Sequence, residues 1–317
     1  MPEIKVAKNA GFCFGVKKAI EIAEEVAKRN EKTYVYGQLV HNEKVIKDLE
    51  NKGIIFAENI NDIPQNAVTV LRAHGEPGTT YKILEEKSIT KGKNLNDATC
   101  PLVTLVHNVA VKLKNSGYEV ILFGKANHPE AIGTSYHLKG KDTFIVEEPE
   151  QSDLVIGHIS KNNFEKVAII SQTTMSVHGY KKLIDGINSK LKNGKFEEIS
   201  LNLKDLSKKY GFVDTICNPT KQRQSGTEEL ARESDIVIVI GGKNSSNSKE
   251  LYAKCREIGV EAYFIQSEEH LQKEWFDGKE KIGVTAGAST PDYLINDVVG
   301  KIKEMTSWKE NYIQLKI

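Results

Sequence analysis

Three of the four cysteines stand directly ahead of stretches with helical character, a position that favours the reactive thiolate form. Apolar residues at helical spacing follow Cys13, and Pro101, a residue suited to the first turn of a helix, follows Cys100. A polar helical stretch follows Cys217. Because the unpaired N–H groups at a helix start stabilise a thiolate, these three residues are candidate metal ligands. The fourth, Cys255, lies in an apolar-periodic stretch and is predicted to be a core residue.

Three thiolates could hold either of two metal centres. One is a zinc ion with an additional ligand, and the other is a [4Fe–4S] cluster with one iron that the protein does not ligate. The paired Cys-x-x-Cys spacing that is typical of structural zinc sites is absent, whereas a cluster is large enough to join distant segments. The pattern therefore favours a cluster, which would supply both electrons and a Lewis acid. The alternative is that all four cysteines are small buried hydrophobes.

Polar residues recur at matched distances from these cysteines. The first set follows its cysteine by 28 positions in every case and consists of His41, His128 and Ser245. The second set follows by 61, 73 and 72 positions and consists of His74, Thr173 and Ser289. Loop insertions would produce the spread in the second set. The matched spacing indicates that the chain contains three copies of one structural unit.

Short apolar runs alternate with helical stretches along the chain. The predicted strands precede the loops that carry the polar residues, and they span 33–36, 68–71, 119–123, 166–170, 235–240 and 281–284. This alternation predicts an α/β fold of three similar parallel-sheet units at residues 14–98, 99–215 and 216–317, with residues 1–13 packed near the centre. Ligands of parallel sheets bind beyond the carboxyl ends of the strands, so three such edges facing inward would form one pocket. The alternative is a triplicated chain without a shared pocket.

The loops after these strands carry groups that suit an anion. Ser245, Ser246 and Asn247 open a predicted helix, where hydroxyl, amide and backbone N–H groups can bind phosphate oxygens. Ser289 follows another strand, and His41 and His74 add neutral or cationic donors. Each of these residues alone could be an ordinary helix cap or a structural histidine. Together they predict a diphosphate site that needs no lysine cluster.

One carboxylate stands beside the predicted anion site. Glu130 follows His128 by two residues at the end of a strand, where a carboxyl group near a diphosphate and an iron would have a perturbed pKa and could deliver protons. Thr173 and Thr174 supply hydroxyl groups for a proton relay or for a substrate hydroxyl. The alternatives are a glutamate favoured by the helix dipole and two capping threonines. The remaining histidines are predicted to be surface or structural residues, namely His107, His137, His158, His178 and His270.

Composition excludes several classes of function. The chain has 317 residues with 44 Lys+Arg against 43 Asp+Glu, so it lacks the basic stripe of a nucleic-acid or membrane-surface binder. No apolar run approaches the roughly 18–20 residues that span a bilayer. The N-terminal residues also lack the pattern of a signal peptide, so a cytoplasmic location is expected.

The motifs together resemble one enzyme family over almost the whole chain. They are Gly11-Phe-Cys13-Phe-Gly-Val, Val40-His41-Asn, Arg72-Ala-His74-Gly, Ala98-Thr-Cys100-Pro, Asn127-His128-Pro-Glu130, Ser171-Gln-Thr173-Thr174, Cys217-Asn-Pro-Thr, Asn244-Ser245-Ser246-Asn247-Ser and Thr285-Ala-Gly-Ala-Ser289. As a set they are similar to those of the 4-hydroxy-3-methylbut-2-enyl diphosphate reductases, the last enzymes of the methylerythritol phosphate route to isoprenoids. Residues 205–213 and the tail beyond about Lys303 carry no motif.

The resemblance implies a fold and a role for each motif. It implies a pseudo-threefold trefoil of α/β units around a [4Fe–4S] cluster held by Cys13, Cys100 and Cys217, with one iron left for the substrate oxygen. By the same resemblance Glu130 is the proton donor, and Thr173 positions it and the substrate hydroxyl. The implied diphosphate ligands are His41, His74, His128, Ser245, Ser246, Asn247 and Ser289.

The implied reaction is a reductive dehydroxylation of an allylic diphosphate to isopentenyl or dimethylallyl diphosphate. No nicotinamide or flavin fingerprint is present, so a ferredoxin- or flavodoxin-like electron donor is expected. One rival is a non-redox cluster enzyme, a dehydratase or condensing enzyme, whose carboxylate substrate would favour Arg and Lys in the pocket. The other is a cluster-carrying sensor without turnover, which would not need His128 and Glu130 beside an anion site.

Overall fold

The computed structural model describes residues 1–29 and 32–307, and its strands are short and mostly apolar. In chain order they are β1 Glu3–Val6, β2 Thr33–Tyr36, β3 Ile54–Ala57, β4 Val68–Leu71, β5 Leu95–Asp97, β6 Tyr118–Phe123, β7 Ile145–Val146, β8 Lys166–Ser171, β9 Glu197–Glu198, β10 Tyr210–Phe212, β11 Ile236–Ile240, β12 Glu261–Ile265 and β13 Lys281–Ala286. The six strands predicted from the sequence correspond to β2, β4, β6, β8, β11 and β13.

The α-helices connect these strands and place an apolar face against each sheet. They are α1 Phe14–Arg29, α2 Glu43–Glu50, α3 Gly78–Glu86, α4 Pro101–Asn115, α5 Pro129–His137, α6 Ser152–Asn162, α7 Val177–Lys190, α8 Asn218–Arg232, α9 Ser246–Ile258 and α10 Asp292–Ser307. Within the described ranges, none of them is both long and apolar enough to cross a membrane.

Every strand pairing in the described residues is parallel, and the strands form three sheets. The first sheet has the order β3-β2-β4-β5, the second β7-β6-β8-β10-β9 and the third β1-β13-β11-β12. Parallel strands need crossover connections, and helices supply most of them. The exception is the pair β9 and β10, which is joined by residues 199–209 without a helix. The predicted fold class, three parallel α/β units, is confirmed.

The second sheet shows why its strands are apolar along their whole length. Ile121, Phe123 and Ile169 lie in a core on one face, whereas Leu122 and Ile170 lie in a core on the other. Helices cover both faces, so successive side chains are buried in turn, as parallel sheets require. The third sheet repeats this pattern, since every residue of β11 is fully buried.

The chain divides into two compact bodies. The terminal body comprises Met1–Lys17, Val40–Leu49 and the described part of Asn218–Ile317, and it contains the third sheet. The middle body comprises Lys18–Leu39 and Glu50–Cys217, and it contains the first and second sheets. The boundaries 14–98, 99–215 and 216–317 stay predictions, as does a central position for residues 1–13, of which β1 pairs with β13. Residues 308–317 of the last range lie outside the described residues.

Candidate active site

Each of the three candidate ligand cysteines lies where a helix begins. Cys13 directly precedes α1, Cys100 is the N-cap of α4, and Cys217 directly precedes α8. All three are half-buried, so their thiols are neither sealed in a core nor fully exposed to water. Cys255 differs, because it is fully buried within α9 and burial raises the pKa of its thiol to about 12. Half-buried cysteines at helix starts have the donor chemistry of iron–sulfur cluster ligands, whereas Cys255 has the surroundings of a core residue.

Hydrogen bonds of backbone and side-chain groups connect the Cys13 segment of the terminal body to two of its polar loops. The N–H of Cys13 donates to the carbonyl of Ala288 over 3.2 Å. The N–H of Ala288 donates in turn to Oδ1 of Asn247 over 3.0 Å. Next to it, Oγ of Ser289 donates to the carbonyl of His41 over 2.9 Å. The terminal body therefore brings together Cys13, His41, Asn247 and Ser289 through short contacts.

The loop after β11 presents unpaired donors at the start of α9. Ser245 is the N-cap, and its Oγ accepts the N–H of Ser248 over 3.2 Å. Ser246 and Asn247 are buried, yet Oγ of Ser246 and Nδ2 of Asn247 have no hydrogen-bond partner in the described part of the chain. Buried polar atoms are normally paired, so these two groups are suited to bind a ligand oxygen. A helix N-terminus adds the positive end of its dipole, which favours an anion.

Gly242 allows the His41 segment to approach this loop closely. A Cβ atom on Gly242 would overlap the carbonyl oxygen of His41 and would lie 2.9 Å from Cα of Asn42. The segment is also tied by Gln266, whose Nε2 donates to Glu43 over 2.8 Å. The absence of a side chain at position 242 is therefore a condition for the position of His41 in the terminal body.

In the middle body, two histidines from different strand ends lie side by side. The rings of His74 and His128 have centroids 5.4 Å apart and meet edge to face at 87°. His128 caps α5, where its Nδ1 accepts the N–H of Glu130 over 3.2 Å. The turn that carries His74 also contacts a cysteine segment, since the N–H of Cys100 donates to the carbonyl of Ala73 over 2.9 Å.

Glu130 is a buried carboxyl group with two hydrogen bonds to one residue. Glu130 lies in the first turn of α5, and it is only 2% exposed. One oxygen accepts the N–H of Thr173 over 2.6 Å and the other accepts the Oγ1 hydroxyl of Thr173 over 2.7 Å. Burial raises the pKa of Glu130 to about 7, although the two Thr173 hydrogen bonds act in the opposite direction. A carboxyl group with this pKa can donate a proton at neutral pH.

Thr173 also connects this acid to a candidate ligand segment. Its carbonyl accepts the N–H of Cys217 over 3.2 Å, so Glu130, Thr173 and Cys217 form one hydrogen-bonded chain. Thr174 has a different role, because its Oγ1 accepts Nε2 of Gln172 over 2.9 Å and holds the loop. The middle body thus brings together Glu130 and Thr173 with the backbone of Cys217.

Two supporting features were missed by the sequence analysis. In the terminal body, the buried Arg223 donates to the carbonyl of Gly11 over 2.5 Å and to that of Pro219 over 2.9 Å, and so supports the segment before Cys13. In the middle body, Arg72 and Glu76 form a largely buried ion pair around His74. Helical spacing with Thr220 and Thr227 could have indicated the buried side of Arg223. The opposite charges of Arg72 and Glu76, on either side of a motif histidine, could have indicated the ion pair.

Comparison with known proteins identifies the family of this chain. The model of the LytB protein family matches residues 4–303. A protein of Nitratiruptor sp. named 4-hydroxy-3-methylbut-2-enyl diphosphate reductase is 38% identical over 96% of this chain and 99% of its own length. A protein of the same name from Aquifex aeolicus is 38% identical over 96% of this chain and 97% of its own length.

Two solved structures share the fold. The E-1-hydroxy-2-methyl-but-2-enyl-4-diphosphate reductase of Plasmodium falciparum has a TM-score of 0.82 at 29% identity and covers 95% of this chain and 88% of its own. A structure of (E)-4-hydroxy-3-methyl-but-2-enyl diphosphate reductase has a TM-score of 0.63 at 36% identity, over 96% of this chain and 100% of its own. The family resemblance in the motifs is confirmed, and the chain belongs to the LytB protein family of iron–sulfur reductases.

Proposed function

We propose that this protein reductively dehydroxylates (E)-4-hydroxy-3-methylbut-2-enyl diphosphate to isopentenyl and dimethylallyl diphosphate, the last step of the non-mevalonate isoprenoid pathway. The observation that carries the proposal is the buried Glu130 carboxyl group, which is bound by Thr173 and connected through it to the backbone of Cys217. Loss of a hydroxyl group as water needs an acid of this kind close to an electron source. The names of the relatives and the whole-chain family match support the same reaction.

We propose that Cys13, Cys100 and Cys217 hold a [4Fe–4S] cluster with one iron that the protein does not ligate. Their half-burial and their places at helix N-termini support this assignment, and the buried Cys255 takes no part in it. When bound, such a cluster supplies electrons and a Lewis acid for the substrate oxygen.

The diphosphate group is proposed to bind to the polar residues at the strand ends. The unpaired donors of Ser246 and Asn247 at the start of α9 support this role. The rest of the proposed set is His41, His74, His128, Thr173, Ser245 and Ser289. Binding of this remote group would orient the small carbon chain, which offers few contacts of its own.

The proposed proton step uses Glu130 in its neutral form. The reaction consumes two electrons and two protons, breaks the allylic C–O bond, forms a C–H bond and releases water. Glu130 would give its carboxyl proton to the departing hydroxide, while Thr173 holds the carboxylate and the substrate hydroxyl. The electron donor is proposed to be a ferredoxin- or flavodoxin-like protein, and the cytoplasmic location stays a prediction.

The test is turnover by anaerobic, iron-loaded protein with a low-potential chemical reductant. Consumption of the hydroxylated diphosphate with formation of both products is the expected result. Glu130→Gln should keep the iron content and bind inorganic diphosphate, yet lose at least a hundredfold in turnover, since general acids contribute about 10²–10⁴-fold. Consumption without reductant would indicate the non-redox rival, and an unchanged substrate would indicate the sensor. Full activity of the variant would remove Glu130 from the proposed mechanism.

A further inference from the structure

The turn that carries His74 is closed by an ion pair between the residues on either side of it. Arg72 directly follows β4, and its Nε contacts Oε1 of Glu76 four residues later. The intervening residues are not helical, so the spacing does not reflect an ordinary i,i+4 pair on a helix surface. The side chain of Glu76 is 1% exposed and that of Arg72 is 16% exposed. A largely buried charge pair thus joins the two ends of the turn that carries His74, a residue proposed to bind substrate.

Neighbouring groups hold both members of the pair in place. Oε2 of Glu76 accepts the hydroxyl of Thr80 over 3.2 Å, and Cζ of Arg72 lies 5.4 Å from the centre of the Tyr36 ring. A Cβ atom on Gly37 would approach Nη1 of Arg72 to 2.7 Å, so the guanidinium group packs against the loop after β2. The pair therefore has one fixed geometry rather than the freedom of a surface ion pair.

The opposite side of the turn is fixed by packing. Gly75 has a φ of 76°, a left-handed conformation that a glycine adopts without strain. A Cβ atom there would lie 2.9 Å from Cε1 of His107, which is buried on α4. Helix α4 therefore limits movement of the turn on the side of Gly75. On the side of His74, movement of the turn is limited by the ion pair between Arg72 and Glu76.

Net stability is a poor explanation for such a pair. Burying two charges costs about as much free energy as their attraction returns, and well-packed apolar residues of similar size often serve equally well. Fixing one conformation of a neighbouring group is a better-supported use of a buried pair in some systems. His74 needs a fixed conformation, because its ring meets that of His128 at 5.4 Å and a displacement of about 1 Å in a site can cost a large part of its effect.

We propose that Arg72 and Glu76 are positioning residues that hold His74 in the orientation in which it binds the substrate's diphosphate group. The inference rests on the proposed function, because it takes His74 to be a diphosphate ligand. It predicts that the ion pair contributes to ligand affinity and little to the stability of the fold.

The experiment replaces both charges at once with apolar residues of similar size, R72M/E76L, in iron-loaded protein. The dissociation constant for inorganic diphosphate, measured by anaerobic calorimetry, should rise about tenfold, which corresponds to one displaced hydrogen-bonding group. KM for the substrate should rise by a similar factor while kcat changes little, since the lost contact binds ground state and transition state alike. The melting temperature should stay within a few degrees of that of the parent.

The matched control is K182M/E150L, which removes an exposed ion pair of 2.8 Å elsewhere in the middle body. It should leave diphosphate binding and KM unchanged. R72K keeps the charge but not the planar fork, and should weaken diphosphate binding several-fold. This single variant decides the question if the double variant does not fold.

Two failures of the experiment can be told apart. If the parent protein neither binds inorganic diphosphate nor turns over the substrate, the proposed function itself is wrong. If the parent binds and both R72K and R72M/E76L bind equally well, only the role of the ion pair is overturned. An equal loss of diphosphate affinity in K182M/E150L and in R72M/E76L would also overturn it, because the effect would then not depend on the position of the ion pair.

Discussion

Glu130 shows how surroundings change the chemistry of a single residue. Its carboxyl group is deprived of water by α5 and by the loop after β8, which favours the neutral form. The two hydrogen bonds from Thr173 favour the ionised form but only partly offset burial. The balance leaves an acid that can both release and regain a proton near neutral pH.

This balance predicts that Glu130 lowers the stability of the folded protein at alkaline pH. Because the pKa is raised to about 7 from an ordinary 4.5, the folded protein retains a proton that the unfolded chain has released. The stability contribution of this group therefore falls as the pH rises from about 4.5 to 7 and stays low above 7. Glu130→Gln should be more stable than the parent at pH 8, by at most about 3 kcal/mol, and should show no gain near pH 4.5.

The measurement is the difference in melting temperature between variant and parent at both pH values. The control is Glu150→Gln, an exposed position where Lys182 lowers the pKa of the carboxyl group. This control should show no gain at pH 8. A Glu130→Gln protein that is equally stabilised at both pH values would contradict a raised pKa for the Glu130 carboxyl group.

At the scale of elements, the sequence predicts those strands whose own residues form a recognisable apolar run. The sequence predicts β2, β6 and β11 nearly to the residue. β6 and β11 are buried on both faces, and β2 alternates between buried and half-buried residues. The short strands β1, β5, β7, β9 and β10 were not predicted. β10, for example, spans three residues in a region without any motif, and it forms because Tyr210 and Phe212 pair with the edge of β8. Tertiary pairing rather than local sequence creates such strands.

A close approach between elements gives a prediction that concerns Gly242. Gly242→Ala should displace the His41 segment, because the added methyl group would occupy the space of the His41 carbonyl. We expect a loss of about 1–3 kcal/mol in stability, typical of overpacking, and about tenfold weaker binding of inorganic diphosphate. Thermal unfolding and calorimetry would measure both effects.

The control for this variant is Gly300→Ala in α10, where no described heavy atom outside the neighbouring backbone of the helix lies within 4 Å of the new Cβ. Because alanine favours a helix more than glycine does, this control should be slightly more stable and bind normally. Unimpaired diphosphate binding by Gly242→Ala would show that the position of His41 tolerates movement.

At the scale of the whole molecule, the sequence predicts a set of site residues but not the contacts that hold them in place. The matched distances from three cysteines identify the candidate residues that follow the strands. Parallel strands place their carboxyl ends at one edge of a sheet, so residues that follow neighbouring strands lie at the same edge. The hydrogen bonds that fix these residues could not be predicted. The contacts of Arg223 with Gly11 and of Ser289 with His41 join positions more than 200 residues apart, and no local pattern encodes them.

The three proposed cluster ligands are distributed over most of the chain. Cys13→Ser, Cys100→Ser and Cys217→Ser should each lower the iron and sulfide content of anaerobically purified protein well below that of the parent, because each would remove a proposed ligand. Cys255→Ala should retain the parent content, although the lost core contacts reduce its stability. Iron and sulfide analysis with absorption spectra would test the set. A serine variant with the parent's iron content would remove that cysteine from the proposed ligands.

The pairing of β1 with β13 has a consequence for the order of events during synthesis. Glu3 is aligned with Lys281, so among the described residues β1 has no partner strand until β13 has been synthesised. Docking of the Cys13 segment, which depends on the loop after β13, must wait equally long. We therefore expect the proposed cluster to be acquired only after β13 has been synthesised, and the Cys13 segment to remain accessible to proteases until then.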